Sequence, residues 1–246
     1  MRVLITRPEE DATALAKQLA CLGIATLIEP LLEICYLPHP PFDLAGVQAL
    51  LMTSANGVRA FANSCERRDL PVLAVGDATA RVAREAGFAD VESAAGNVFA
   101  LAELVRHRCD PAAGALLHAA GTAVAGDLAA MLADDGFVVR RVVLYEARTS
   151  QRLSDQTIEQ LRAGKLDGVV MFSPRTAAVF VDLLAVAQLK SSCTGLIAFC
   201  LSWAVAHVIE REAWQRIAVA ARPDQEALID LIAEAADFHS PKRRIP

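Results

Sequence analysis

Short apolar runs bounded by turn residues alternate along this chain with stretches in which apolar residues recur at helical spacing. The first run, Val3-Leu4-Ile5, is followed after Arg7 and Pro8 by a helical pattern whose apolar positions include Leu15 and Leu19 and which ends at Gly23. The same strand, turn and helix order returns through LLMTSANGVRAF (Leu50 to Phe61), VLAVGDATA (from Val72), LLHAAG (from Leu116), VVMFSPRTAAVF (Val169 to Phe180) and LIAFCLSWA (from Leu196). Continuous apolar runs of this length suit strands buried on both faces, and alternation with helices marks βα units. The expected class is therefore α/β, with parallel sheets covered by helices on both faces.

Laid on itself, the chain repeats. Leu50 to Phe61 matches Val169 to Phe180, with Met, Ser and Phe in register, and Val3 to Gly23 matches Leu116 to Gly136, aligning Leu15 with Leu128, Leu19 with Leu132 and the helix-ending Gly23 with Gly136. Weaker pairs join VLAVGDATA to LIAFCLSWA and the stretch near Ala94 to that near Ala220. Four units thus recur in one order, the mark of a duplication. Duplication alone leaves open whether the domains are contiguous halves or have exchanged their first units.

Two segments read as crossings between domains: Pro30 to Pro41, with Pro38, Pro40 and Pro41, and Val142 to Ser154, a β run ending in polar residues. Each follows a first unit, which favours the exchanged arrangement. The expected domains are residues 1–35 with 150–246, and residues 40–145, joined by linkers at 36–39 and 146–149. Thin crossings of this kind also predict hinge motion.

Composition narrows the function classes. The 246 residues are 54% hydrophobic, yet the apolar residues are spread over amphipathic stretches, so no membrane span is expected. The N-terminal strand runs directly into Arg7, Glu9, Glu10 and Asp11, unlike an export signal, and a cytoplasmic location follows as the expectation. Six cysteines without a Cys-x-x-Cys pair, and five dispersed histidines, predict free thiols and no metal site. With a formal charge of −5 and its densest basic run confined to Lys242-Arg243-Arg244, the chain is not expected to bind nucleic acid.

In a parallel sheet the turns following the strands lie at their carboxyl ends, where ligands bind. The turns here supply Thr53, Ser54 and Asn56, Gly76 and Thr79, Gly121 and Thr122, Ser173 and Pro174, and Ser202, with Arg7 after the first strand. Each opens a helix, so its backbone N–H groups and dipole favour anions. These turns are expected to face a cleft between the domains. Each hydroxyl or amide is equally suited to capping its own helix.

TSANGVRAF (Thr53 to Phe61), VLAVGDATARVAREAGF (Val72 to Phe88), VLITRP (Val3 to Pro8) and VVLYEA (Val142 to Ala147) together resemble the uroporphyrinogen-III synthase family over nearly the whole chain. The resemblance implies two flavodoxin-like domains joined by a two-stranded antiparallel connection, the first domain being built from both chain ends. It implies a cofactor-independent cyclising lyase of haem biosynthesis, converting hydroxymethylbilane, a linear tetrapyrrole with eight carboxylates, into uroporphyrinogen III. A monomer is expected, with transient contact to hydroxymethylbilane synthase.

Under this resemblance Tyr145, which occupies the family's tyrosine position in VVLYEA, is the expected catalytic residue. A phenol is protonated at neutral pH and can assist departure of the ring A hydroxyl. Ring D would then attack through its substituted carbon, giving a spiro intermediate that fragments and rejoins with ring D reversed. Arg7, Thr53, Ser54, Asn56, Gly76, Thr79, Gly121, Thr122, Ser173, Pro174 and Ser202 are the expected substrate contacts. Leu201 and Trp203 around Ser202 are bulkier than the family pattern. A two-domain binding or sensor protein remains the alternative. A nucleotide-dependent enzyme is disfavoured by the absence of Gly-x-Gly-x-x-Gly after the first strand and of a phosphate-binding loop motif.

Overall fold

In the computed structural model, which describes residues 1–124 and 126–239, the apolar runs form strands and the periodic stretches form helices. In chain order these are β1 (Arg2–Ile5), α1 (Glu9–Cys21), β2 (Ala25–Ile28), β3 (Leu32–Tyr36), β4 (Val47–Met52), α2 (Ala55–Ser64), β5 (Val72–Ala74), α3 (Asp77–Glu85), β6 (Val91–Ser93), α4 (Val98–Arg108) and β7 (Ala115–Gly121). There follow α5 (Leu128–Ala133), β8 (Val139–Thr149), α6 (Asp155–Arg162), β9 (Gly168–Met171), α7 (Pro174–Val186), β10 (Ile197–Cys200), α8 (Trp203–Ile209), β11 (Arg216–Val219) and α9 (Gln225–His239). The chain divides into two units, one from Met1–Glu33 with the chain from Arg148 onward, the other from Ile34–Ala147. The basic run Lys242-Arg243-Arg244 lies outside the described residues.

The first unit carries a five-stranded sheet in the order β11-β10-β9-β1-β2, with parallel pairing throughout. Its strands are apolar because both faces are covered: Leu4, Val169 and Ala198 pack with Phe180 and Leu184 of α7 on one side. Val3, Ile5 and Phe199 pack with Leu15 and Leu19 of α1 and Leu228 and Ile232 of α9 on the other. Alternate residues of each strand thus serve opposite cores, as a period of two requires. Counted along this unit the order is 2-1-3-4-5, the flavodoxin-like arrangement, with its switch point between β1 and β9.

The second unit carries a six-stranded sheet in the order β3-β8-β7-β4-β5-β6. From β8 to β6 neighbouring strands pair in parallel. Leu50 and Met52 face Val58 and Phe61 of α2, while Leu51 and Leu116 face Leu101 and Val105 of α4. The duplication explains the difference in strand numbering between the sheets. Strands β1, β9, β10 and β11 correspond to β7, β4, β5 and β6, so β11-β10-β9-β1-β2 and β6-β5-β4-β7-β8 are the same spatial order. The unit that begins the chain in one sheet closes it in the other. Segment Pro30 to Pro41, read from sequence as a crossing, contains β3, which adds to the second sheet beside β8.

Helix termini follow the local chemistry. Ser54, Asn97, Asp127, Ser154 and Ser173 each accept a backbone N–H of the first turn of the helix they open. Pro174 sits at the first position of α7, where its missing N–H has no partner to lose. Helix α1 opens instead at Pro8 with Glu9, Glu10 and Asp11 in its first turn, and the chain turns away at Gly23, whose φ of 73° favours glycine.

Candidate active site

The turn after β4 is the most elaborated of the strand-end turns. Ser54 adopts an extended backbone and its Oγ accepts the Gly57 N–H at 3.0 Å, opening α2. Gly57 is dictated by close approach: a Cβ there would lie 2.6 Å from the carbonyl oxygen of Ala119 in β7. The first turn of α2 therefore rests directly on the neighbouring strand, which brings Ser54 toward the far side of β7.

There it meets Tyr145. The phenolic Oη lies 2.7 Å from Ser54 Oγ, and either hydroxyl can be the donor. Tyr145 is opposite Gly121 where the β7–β8 register shifts, and its carbonyl accepts the Thr122 N–H at 3.0 Å. Its ring covers Gly121 so closely that a Cβ on Gly121 would be 2.8 Å from Cε2 and Cζ. The tyrosine is 9% exposed and belongs to the core containing Phe61 and Leu144, so its ring is held by packing on one side and backbone on the other. Thr53, Ser54, Gly121, Thr122 and Tyr145, separate in sequence, meet at the carboxyl edge of one sheet.

A second polar pair stands beside the first. His118, in the middle of β7 and 3% exposed, places Nε2 3.0 Å from Thr53 Oγ1. Burial, reinforced by the positive charge of Arg141, pushes the imidazole pKa down to about 4, so the ring is neutral at pH 7. Arg141 donates to the carbonyls of Gly121 at 2.7 Å and Thr122 at 3.0 Å, fixing the segment that carries them. His118, Arg141, Val124, Gly126 and Asp127 line a cavity of about 400 Å³. Neither His118 nor Arg141 is among the residues expected from sequence. The available signal was His118 itself, the one imidazole inside the apolar run Ala115–Gly121, where an unpartnered polar group would be costly.

The other expected contacts are distributed. In the second unit, Asn56 Oδ1 accepts from Arg59 at 2.9 Å, Gly76 opens α3 with an extended backbone, and Thr79 is a buried residue within that helix. In the first unit, Arg7 donates to Asp11 at 2.9 Å and to Gln225 at 2.8 Å and lies 4.1 Å over the Phe172 ring. Ser173 accepts the Thr176 N–H at 3.1 Å and its hydroxyl meets the Thr176 hydroxyl at 2.8 Å, with Pro174 exposed between them. Ser202 opens α8 without a side-chain cap, next to Trp203, which is 69% exposed.

Chemically the arrangement offers proton donation and hydrogen bonding. Buried Cys193 and Cys200 are kept as thiols, burial pushing them up to about 11 and about 12 respectively. Among the described residues no three His, Cys, Asp or Glu side chains gather as metal ligands, and no helix is long and apolar enough to cross a membrane.

A family model described as uroporphyrinogen-III synthase HemD matches residues 13–230. A relative from Synechococcus elongatus, described as uroporphyrinogen-III synthase, is 29% identical over 199 residues, covering 74% of each chain. Among solved structures, uroporphyrinogen-III synthetase from Helicobacter pylori aligns over 96% of this chain and 100% of its own, with a TM-score of 0.59 and 18% identity. A mutant uroporphyrinogen III synthase from Thermus thermophilus aligns over 96% and 98%, with a TM-score of 0.54 and 18% identity. At such identities the structural likeness speaks for the fold.

Proposed function

The chain belongs to the uroporphyrinogen-III synthase family, and from that premise we propose that it closes hydroxymethylbilane to uroporphyrinogen III, with loss of water and reversal of ring D. The observation that carries the chemistry is the Ser54–Tyr145 hydroxyl pair, 2.7 Å apart at the carboxyl edge of a parallel sheet.

In this reading the Tyr145 O–H donates its proton to the hydroxyl leaving ring A. The carbon–oxygen bond breaks, water departs, and the pyrrole nitrogen lone pair completes an azafulvene whose exocyclic carbon is the electrophile. The substituted carbon of ring D bonds to that carbon, giving the spiro intermediate. Cleavage of the old bridge to ring D and reclosure at its other side reverse the ring, and the proton lost on rearomatisation restores the phenol. Only water leaves. In this reading the protein supplies no nucleophile.

Direct closure gives the unrearranged isomer I, so the enzyme's main contribution is orientation. Backbone N–H groups at the openings of α2, α3 and α4 suit the substrate's carboxylates, since helix N-termini favour anions even on a chain of net charge −5. A cytoplasmic setting agrees with six free cysteines.

The test is to supply freshly generated hydroxymethylbilane to the purified chain and to separate the oxidised products. Isomer III is expected to dominate, at a rate above closure without protein. Isomer I alone, at the uncatalysed rate, would leave the fold without this activity and favour a binding protein.

A further inference from the structure

We propose that Ser54 is a positioning residue for Tyr145, supplying the hydrogen bond that turns the phenolic proton toward the substrate; this rests on the function proposed above. A serine hydroxyl has one proton to donate and two lone pairs to accept with. One lone pair of Ser54 is taken by the Gly57 N–H at 3.0 Å. Its proton then has Tyr145 Oη, at 2.7 Å, to point to. With Ser54 donating to Oη, the phenol's own proton is free for the leaving hydroxyl. With the reverse polarity that proton would be spent on Ser54.

The helix end favours the first polarity. The Gly57 N–H, one of the donors opening α2 that have no partner within the helix, draws electron density from Ser54 Oγ and makes its O–H a better donor, and successive donors in a chain strengthen one another. The order is Gly57 N–H to Ser54 Oγ, Ser54 O–H to Tyr145 Oη, and Tyr145 O–H to substrate. Gly121 holds the ring in line, because its missing side chain is the space the ring occupies. No atom of this relay is consumed: the proton that leaves with water is the phenol's, and rearomatisation returns it.

The same geometry separates Ser54 from a carboxylate contact. If Ser54 bound substrate directly, its loss would raise KM; if it orients Tyr145, its loss lowers kcat, and only where the phenol is present. We would measure isomer III formation by the full chain and by Ser54→Ala, Ser54→Gly, Ser54→Thr, Tyr145→Phe and the double variant Ser54→Ala/Tyr145→Phe. Glycine also serves as a helix N-cap, so Ser54→Gly removes the hydroxyl with α2 capped. Expected are a kcat lower by about tenfold in Ser54→Ala and Ser54→Gly with KM within about twofold, recovery to within about threefold in Ser54→Thr, and less than about twofold further loss from Ser54→Ala in the Tyr145→Phe background. Unchanged kcat, a change in KM alone, or a full tenfold loss repeated without the phenol would overturn the relay. A parent chain that forms no isomer III would instead sink the functional reading and the relay with it.

Discussion

The turns after β4 and β9 descend from the same repeated unit, and they have diverged in what their serine touches. In the first unit Ser173 caps α7 and its hydroxyl turns back 2.8 Å onto Thr176, so the turn is closed on itself. In the second unit the residue aligned with Thr176 is Gly57, and Ser54 reaches instead across β7 to Tyr145. The neighbours changed with it: Phe172 stands where the other turn has Thr53, and Ile5 where the other sheet has His118. One turn is a helix cap whose hydroxyls pair with each other, while the other joins two hydroxyls, an imidazole and a phenol at a sheet edge. The two turns share the serine cap and differ in a few residues around it, and it is at the second that we place the proton transfer of the proposed reaction.

Restoring a side chain at the glycine beneath the phenol breaks the comparison most strongly. Gly121→Ala places a Cβ 2.8 Å from two atoms of the Tyr145 ring, and the ring must move. Isomer III formation should fall by about a hundredfold, the scale at which misplacement of a reacting group by about an ångström is felt, and chemical denaturation should show a loss of about 1–3 kcal/mol. Activity and stability equal to the parent's would mean the ring has room the geometry denies.

The buried imidazole gives the second unit an acid sensitivity that Ile5 cannot give the first. Because the folded state holds His118 near 4 while an unfolded histidine titrates near 6.5, the unfolded chain binds the extra proton between these values. The contribution of this site to stability is therefore complete above about pH 6.5 and is lost as pH falls toward 4, by roughly 3 kcal/mol in all. Unfolding curves of His118→Gln and the parent, taken across that range, should converge at low pH. Parallel curves would show that the imidazole is protonated in the fold.

The smallest effect concerns the caps as caps. Ser173→Ala should cost about 1 kcal/mol of stability, the usual value for a lost N-cap, and Thr176→Ala should cost less because the Ser173 cap to the Thr176 N–H remains. Equal losses would show that the hydroxyl pair, and not the N–H, holds the α7 terminus.

Much of this was legible in the chain. Alternating apolar runs and helical periods announced the parallel sheets, because strands covered on both faces leave few positions for polar residues. The repeat of LLMTSANGVRAF as VVMFSPRTAAVF placed two serines at equivalent caps, as found. The sequence could not reveal that Ser54 and Tyr145, 91 positions apart, share a hydrogen bond. That contact depends on a register shift between β7 and β8 and on two glycines, Gly57 and Gly121, that allow backbones and a ring to approach. Nor could it assign His118, whose partner Thr53 comes from the adjacent strand's turn. Pairings across strands are set by tertiary packing, whereas caps and periods are local and can be read directly.

The central claim, that the turn joined to Tyr145 is where the chemistry occurs, is tested most directly by the initial rate of isomer III formation in Tyr145→Phe. Phenylalanine keeps the ring over Gly121 and removes only the hydroxyl. The account predicts a fall of about a hundredfold or more, in the range of a lost general acid, with isomer I becoming the main product as direct closure overtakes the enzyme. A rate of isomer III equal to the parent's would contradict it.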